Sequence, residues 1–168
     1  MDNFEINIYL ASLEKYENGK DNGKWIELPC LNFKKELKEI LENDEEWIIL
    51  DAECDFLSID EHEDIYKLNQ LAFTLNNLKS YEIRALKSIL EVEQDINNAL
   101  NILKDKQYKM YDDVSDDYDM GEYLIDNDYF KFDKELEKYI NIEDLGRDYA
   151  IKHSVKYTKM NTAIEMFW

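Results

Sequence analysis

Near the start of the chain, Phe4, Ile6, Ile8 and Leu10 alternate with Glu5, Asn7 and Tyr9. A period of two with one apolar face predicts a strand. Glu17-Asn18-Gly19-Lys20-Asp21-Asn22-Gly23 carries two Asn-Gly turn signals, and Lys24-Trp25-Ile26-Glu27-Leu28 returns as a second strand. Pro29 has no amide donor and ends it. Phe33, Leu37, Ile40 and Leu41 share one face of a helix, and the apolar run Trp47-Ile48-Ile49-Leu50 reads as a third strand. The pattern then changes to helical spacing. Ile65, Leu68, Leu71, Ala72, Leu75 and Leu78 predict a helix over about 62–78. Ser80 is placed to cap a second, and Asp95 opens a third through Ile96, Ala99, Leu100 and Leu103.

Beyond residue 105 the pattern is mixed. Tyr108-Lys109-Met110-Tyr111 reads as a strand, Ser115 as the cap of an acidic helix, and Asn141 as the start of another helix. Val155, Tyr157 and Met160 predict a strand that turns at Asn161 and returns through Ile164, Met166 and Trp168. The expected fold class is therefore α+β. A sheet-plus-helix domain covers 1–61, a helical bundle 62–104, and a mixed α/β domain 105–168.

Composition adds one strong constraint. The chain has 39 acids against 20 bases, a net charge of −19, while 45% of its residues are hydrophobic. That much apolar material makes a folded core, so the acidity belongs to the surface of an ordered body. The excess is segregated. Residues 42–64 hold 11 acids and no base, and residues 111–137 hold 11 acids and 2 bases. Halophilic proteins wear acids throughout, and direct nucleic-acid binding is disfavoured by the sign. The N-terminus has neither a signal-peptide pattern nor a membrane-length apolar run, and Cys30 and Cys54 form no disulfide framework. A cytoplasmic, non-enzymatic protein that binds no membrane is expected.

Familiar site chemistry is missing. His62 and His153 have no partner at metal-ligand spacing, and the four glycines build no phosphate loop. Asp51-Ala52-Glu53-Cys54-Asp55 has Phe56 where a calcium loop needs glycine. A loop started at Asp116 would place Tyr118 and Met120 at ligand positions. No catalytic, metal or cofactor residue is assigned, and no cofactor is expected. What dense carboxylates can imitate is a polyanion. At one charge per ≈1.7 Å of duplex axis, the net of 19 charges corresponds to roughly 30 Å, or about ten base pairs. The candidate partner-binding residues are Glu42, Asp44, Glu45, Glu46, Asp51, Glu53, Asp55, Asp60, Glu61, Glu63 and Asp64 in the first block. Those of the second are Asp112, Asp113, Asp116, Asp117, Asp119, Glu122, Asp126 and Asp128. Val155, Tyr157, Ile164, Met166 and Trp168 are candidates for a dimer interface, because so many apolar residues in terminal strands need cover.

Three stretches carry a family resemblance. The first is Ile8-Tyr9-Leu10-Ala11-Ser12-Leu13 with Tyr16, Asn18-Gly19, Gly23 and Lys24-Trp25-Ile26-Glu27-Leu28. The second is Trp47-Ile48-Ile49-Leu50-Asp51-Ala52-Glu53 leading to Ile65-Tyr66-Lys67-Leu68-Asn69-Gln70-Leu71-Ala72. The third is Tyr139-Ile140-Asn141-Ile142-Glu143-Asp144-Leu145-Gly146-Arg147-Asp148. In this order they resemble the ArdA antirestriction proteins of plasmids and conjugative transposons. The resemblance implies an elongated three-part α+β fold and a homodimer joined through the C-terminal part. It implies carboxylates arrayed like the phosphates of bent DNA, and the DNA-binding groove of type I restriction–modification enzymes as the target. Asn141 stands where the family usually has an acid, and Lys152, Lys156 and Lys159 make the tail more basic than usual. The alternative expectation is an acidic binding module for another basic DNA-binding protein.

Overall fold

A computed structural model describes residues 4–20, 22–131 and 133–167, with the side chains of Lys134 and Glu137 left out. The chain divides into two compact units, residues 1–79 and 80–168. The helices of 62–104, expected to form one bundle, are shared between them.

In the first unit, strands β1 (Ile6–Ser12), β2 (Lys24–Leu28) and β3 (Trp47–Glu53) form an antiparallel sheet in the order β2-β1-β3. Ile8 pairs with Ile26 and Ile6 with Leu28, so the predicted alternation sends Ile6, Ile8, Leu10, Ile26 and Leu28 to one buried face. Helix α2 (Phe33–Leu41) adds Phe33, Leu37, Ile40 and Leu41 to this core, and α3 (Ile65–Asn76) adds Ile65, Leu68, Ala72 and Leu75. The start of α3 is set by Asp64, whose carboxylate accepts from the Tyr66 amide at 3.0 Å and the Lys67 amide at 3.2 Å. The helix is accordingly shorter than 62–78. A short helix that the pattern did not announce, α1 (Leu13–Glu17), follows β1. Ser12 caps it by accepting from the Lys15 amide.

Strand β3 runs three residues beyond the predicted Trp47–Leu50, with Asp51 and Glu53 exposed and Ala52 half-buried between them. Acids are poor strand formers. Pairing of Asp51 with Tyr9 and of Glu53 with Asn7 holds them in the sheet. The register shifts between Tyr9 and Leu10, which admits Leu50 as an extra residue and keeps Leu10 opposite Ile49.

The second unit begins with α4 (Ser80–Leu90) and α5 (Ile96–Asp105), the latter capped by Asp95 as expected. Strand β4 (Tyr108–Asp112), helices α6 (Asp117–Asp126), α7 (Lys134–Glu137) and α8 (Ile142–His153), and strands β5 (Lys156–Thr158) and β6 (Thr162–Met166) complete it. The sheet order is β4-β6-β5, all antiparallel. The cap of α6 is Asp116, which accepts from the Asp119 amide at 2.9 Å, and not Ser115. Ser115 instead donates both its amide and its hydroxyl to the Asp119 carboxylate, so Asp119 ties the residue before the cap to the first turn.

Tyr111, Val114, Met120, Leu124, Ala150, Val155 and Ala163 form one apolar cluster between α6, α8 and the sheet. Helices α6 and α8 approach so closely that a Cβ on Gly146 would lie 2.6 Å from the Gly121 nitrogen. One on Gly121 would lie 2.8 Å from the Ile142 carbonyl carbon. A buried hydrogen bond of 3.0 Å between the Ser88 and Thr162 hydroxyls ties α4 to β6.

Candidate carboxylate surface

The acidic blocks are built into ordered secondary structure. In the first, Glu42 ends α2 with φ +55, and Glu45 and Glu46 lie in the connection to β3. Asp51 and Glu53 alternate along β3, and Asp55, Asp60, Glu61, Glu63 and Asp64 follow to the start of α3. Of these eleven, all are exposed except Asp44, Glu63 and Asp64, which are half-buried. In the second block, Asp112 ends β4, Asp113 follows, and Asp116, Asp117, Asp119, Glu122 and Asp126 decorate the cap and body of α6, with Asp128 just beyond. Asp117 and Asp119 are half-buried and the other six exposed. Thus none of the nineteen carboxylates is buried.

Many also perform local structural work, which fixes where their charge sits. Asp44 accepts a hydrogen bond from the Ser12 hydroxyl, and this holds its carboxyl below the usual range. Glu14, hydrogen-bonded to Asp44, is pushed up in turn. The Ser115 hydroxyl and amide hold Asp119 down. Asp117 accepts from the Tyr157 hydroxyl at 2.7 Å, and Glu122 from Tyr118 at 3.1 Å. Glu42, Asp64 and Asp112 meet Lys15, Lys67 and Arg84, at 2.9, 3.6 and 3.1 Å. These surface pairs trim the field only slightly.

One acid outside both blocks is enclosed. Glu165 on β6 accepts from the Tyr111 hydroxyl at 2.6 Å and pairs with His153 Nδ1 at 3.0 Å, while Tyr149 stacks on the His153 ring. Burial first, and then the bonds to Glu165 and Tyr149, push the Tyr111 phenol up so that it stays protonated. The Cys54 thiol is likewise pushed up, mainly by burial, which makes it a poor nucleophile. Among the described residues no group of three or more His, Cys, Asp or Glu side chains is placed to hold a metal ion. No helix there is long and apolar enough to cross a membrane.

The residues expected at a dimer interface divide. Val155 and Ile164 are buried within the second unit itself, at 7% and 1% exposure. Tyr157 and Met166 are half-buried, and Trp168 lies outside the described residues. Sequence reasoning passed over Leu136, Tyr139, Ile151 and Phe167, four of the large apolar residues that this unit exposes. It also passed over Glu27, which lies outside the acid-rich blocks yet shares the sheet face of Asp51 and Glu53 through its pairing opposite Asn7.

Fold and surface together define an α+β protein whose ordered elements display a dense carboxylate array. Comparison with known families identifies it further: the model of the antirestriction protein (ArdA) family matches residues 8–162. The chain belongs to the ArdA antirestriction family, and antirestriction is the activity that membership implies. No individual curated protein matches it.

Proposed function

We propose that the protein inhibits type I restriction–modification enzymes without catalysis, by occupying their DNA-binding groove with its carboxylates in the place of phosphates. The observation that carries this reading is the placement of the acids: nineteen carboxylates in two blocks, on helix caps, strand β3 and the surface of α6, with none withdrawn into a core. A groove that binds DNA offers Lys and Arg to such an array, and long-range attraction steers the encounter. The array is distributed, so each carboxylate adds little and the sum is large. The homodimer belongs to the same proposal. Its support is the exposed apolar set Leu136, Tyr139, Ile151 and Phe167 in the second unit, together with family membership.

The test is competition between this protein and DNA for a purified type I enzyme, titrated at several salt concentrations. Affinity should fall steeply as salt rises, as it does for a polyanion on a basic groove. A flat response, or simultaneous binding of DNA and protein, would overturn the reading.

A further inference from the structure

The outer face of the first sheet holds an arrangement that the distributed array does not explain. Residues that alternate with the buried Ile6, Ile8, Ile26 and Leu28 point away from the core. The register lines them up in two rows. Trp25, Tyr9 and Asp51 lie side by side across β2, β1 and β3, and Glu27, Asn7 and Glu53 form the next row. The Trp25 and Tyr9 rings lean together with centroids 5.4 Å apart, and Asn7 Nδ2 reaches Glu53 Oε2 at 3.4 Å. Trp25 is nonetheless 44% exposed, and Glu27, Asp51 and Glu53 are exposed around it. A large indole kept at the surface of an edge strand contributes little to the fold for its area. Residues of this type at interfaces commonly carry much of the binding energy.

Resting on the antirestriction reading above, we infer that this face is a receptor for an arginine side chain of the enzyme's DNA-binding surface, with the Trp25 ring as its platform. Glu27 is two residues from Trp25 on the same face of β2, about 7 Å along the strand. A guanidinium lying flat on the indole can therefore turn its edge to the Glu27 carboxylate. Stacking and paired hydrogen bonding are what a planar guanidinium provides and a compact ammonium does not. The surrounding carboxylates repel an acidic partner, and an uncharged apolar partner would leave them desolvated and unpaired. In the second row, Glu53 extends the same negative edge, with Asn7 holding its carboxylate in position.

The experiment measures binding of the full chain to a purified type I enzyme at several salt concentrations, with circular dichroism as the folding control. Trp25→Ala should raise Kd about 10-fold while leaving the slope of log Kd against log salt unchanged, since no charge is lost. Trp25→Phe should stay within about 3-fold of the original, and Trp25→Thr, a strand-favouring replacement, should behave like the alanine variant. Glu27→Gln should weaken binding and lower the slope by about 1. Leu31→Ala, at an 86% exposed apolar side chain off this face, should change nothing. Folded Trp25→Ala and Trp25→Thr variants that bind like the unaltered protein would overturn the arginine receptor and leave the groove-occupying reading standing. So would equal weakening by Leu31→Ala. If the unaltered protein itself fails to bind, both fall.

Discussion

Replacing Gly146 with alanine tests the closest approach in the second unit. Its Cβ would stand 2.6 Å from the Gly121 nitrogen and 2.9 Å from the Asp117 carbonyl carbon, and closer still to the Asp117 carbonyl oxygen. Ordinary contact begins near 3.4 Å, so relieving the Gly121 nitrogen contact alone needs α6 and α8 to part by about 0.8 Å, and the Asp117 carbonyl oxygen needs more. The obstructing atoms are backbone, and no side chain can swing aside. Separation on that scale forfeits roughly a quarter to a half of the dispersion energy at each contact along the crossing. Met120, Leu124 and Ala150 pack behind it. Alanine's higher helix propensity returns about 1 kcal/mol. The net expectation is a loss of about 2–4 kcal/mol. For a unit of this size that is a fall in Tm of roughly 10–25 °C. Thermal and urea unfolding followed by circular dichroism read it directly. Gly121→Ala, blocked by the Ile142 carbonyl on the same crossing, should cost a similar amount. The double variant should cost less than the sum, because one separation relieves both clashes. Gly146→Ala melting at or above the parent temperature would refute the close-packed crossing.

Ser115→Ala should let the Asp119 carboxyl rise toward its ordinary 3.8, read by carboxyl-carbon NMR titration. Asp119 is depressed in the fold, so its contribution is present above 3.8 and lost as pH falls through the lower folded value; the variant should lose that part of the acid dependence. Reversing one exposed carboxylate, as in Glu45→Lys, should barely change inhibition of a type I enzyme, whereas reversing Glu42, Glu45, Glu46, Asp55 and Asp60 together should weaken it at least 10-fold in a folded protein. Loss of inhibition from one such change alone would point to a discrete site. Trp47→Ala should cost about 1.5–3 kcal/mol by urea denaturation, less than for a fully enclosed ring. The indole is only half-buried, edge-on to Tyr66 at 5.9 Å, with its N–H directed at the Glu63 carbonyl at 3.4 Å.

What could be learned from sequence was local or additive. Period-two alternation placed β1 and β2, helical spacing placed α2 to α5, and capping chemistry placed the starts of α5 at Asp95 and α8 at Asn141, because each is decided within a few residues. Charge is additive, so the two acidic blocks were visible without coordinates, and three ordered motifs were enough to suggest the family. Tertiary structure alone decided which residues share a surface. The extension of β3 through Asp51 and Glu53 depends on pairing with β1, since acids have little strand preference of their own. The α6 cap, expected at Ser115, is one residue later at Asp116; this too is a local matter, since Asp116 accepts from the Asp119 amide three residues on. Val155 and Ile164 looked like interface because apolar terminal strands need cover, and α6, α8 and β4 are what make the second unit's own core available to provide it. Glu27 and Trp25 lie far in sequence from Asp51 and Glu53, and only strand register, a non-local property, sets the four on one face.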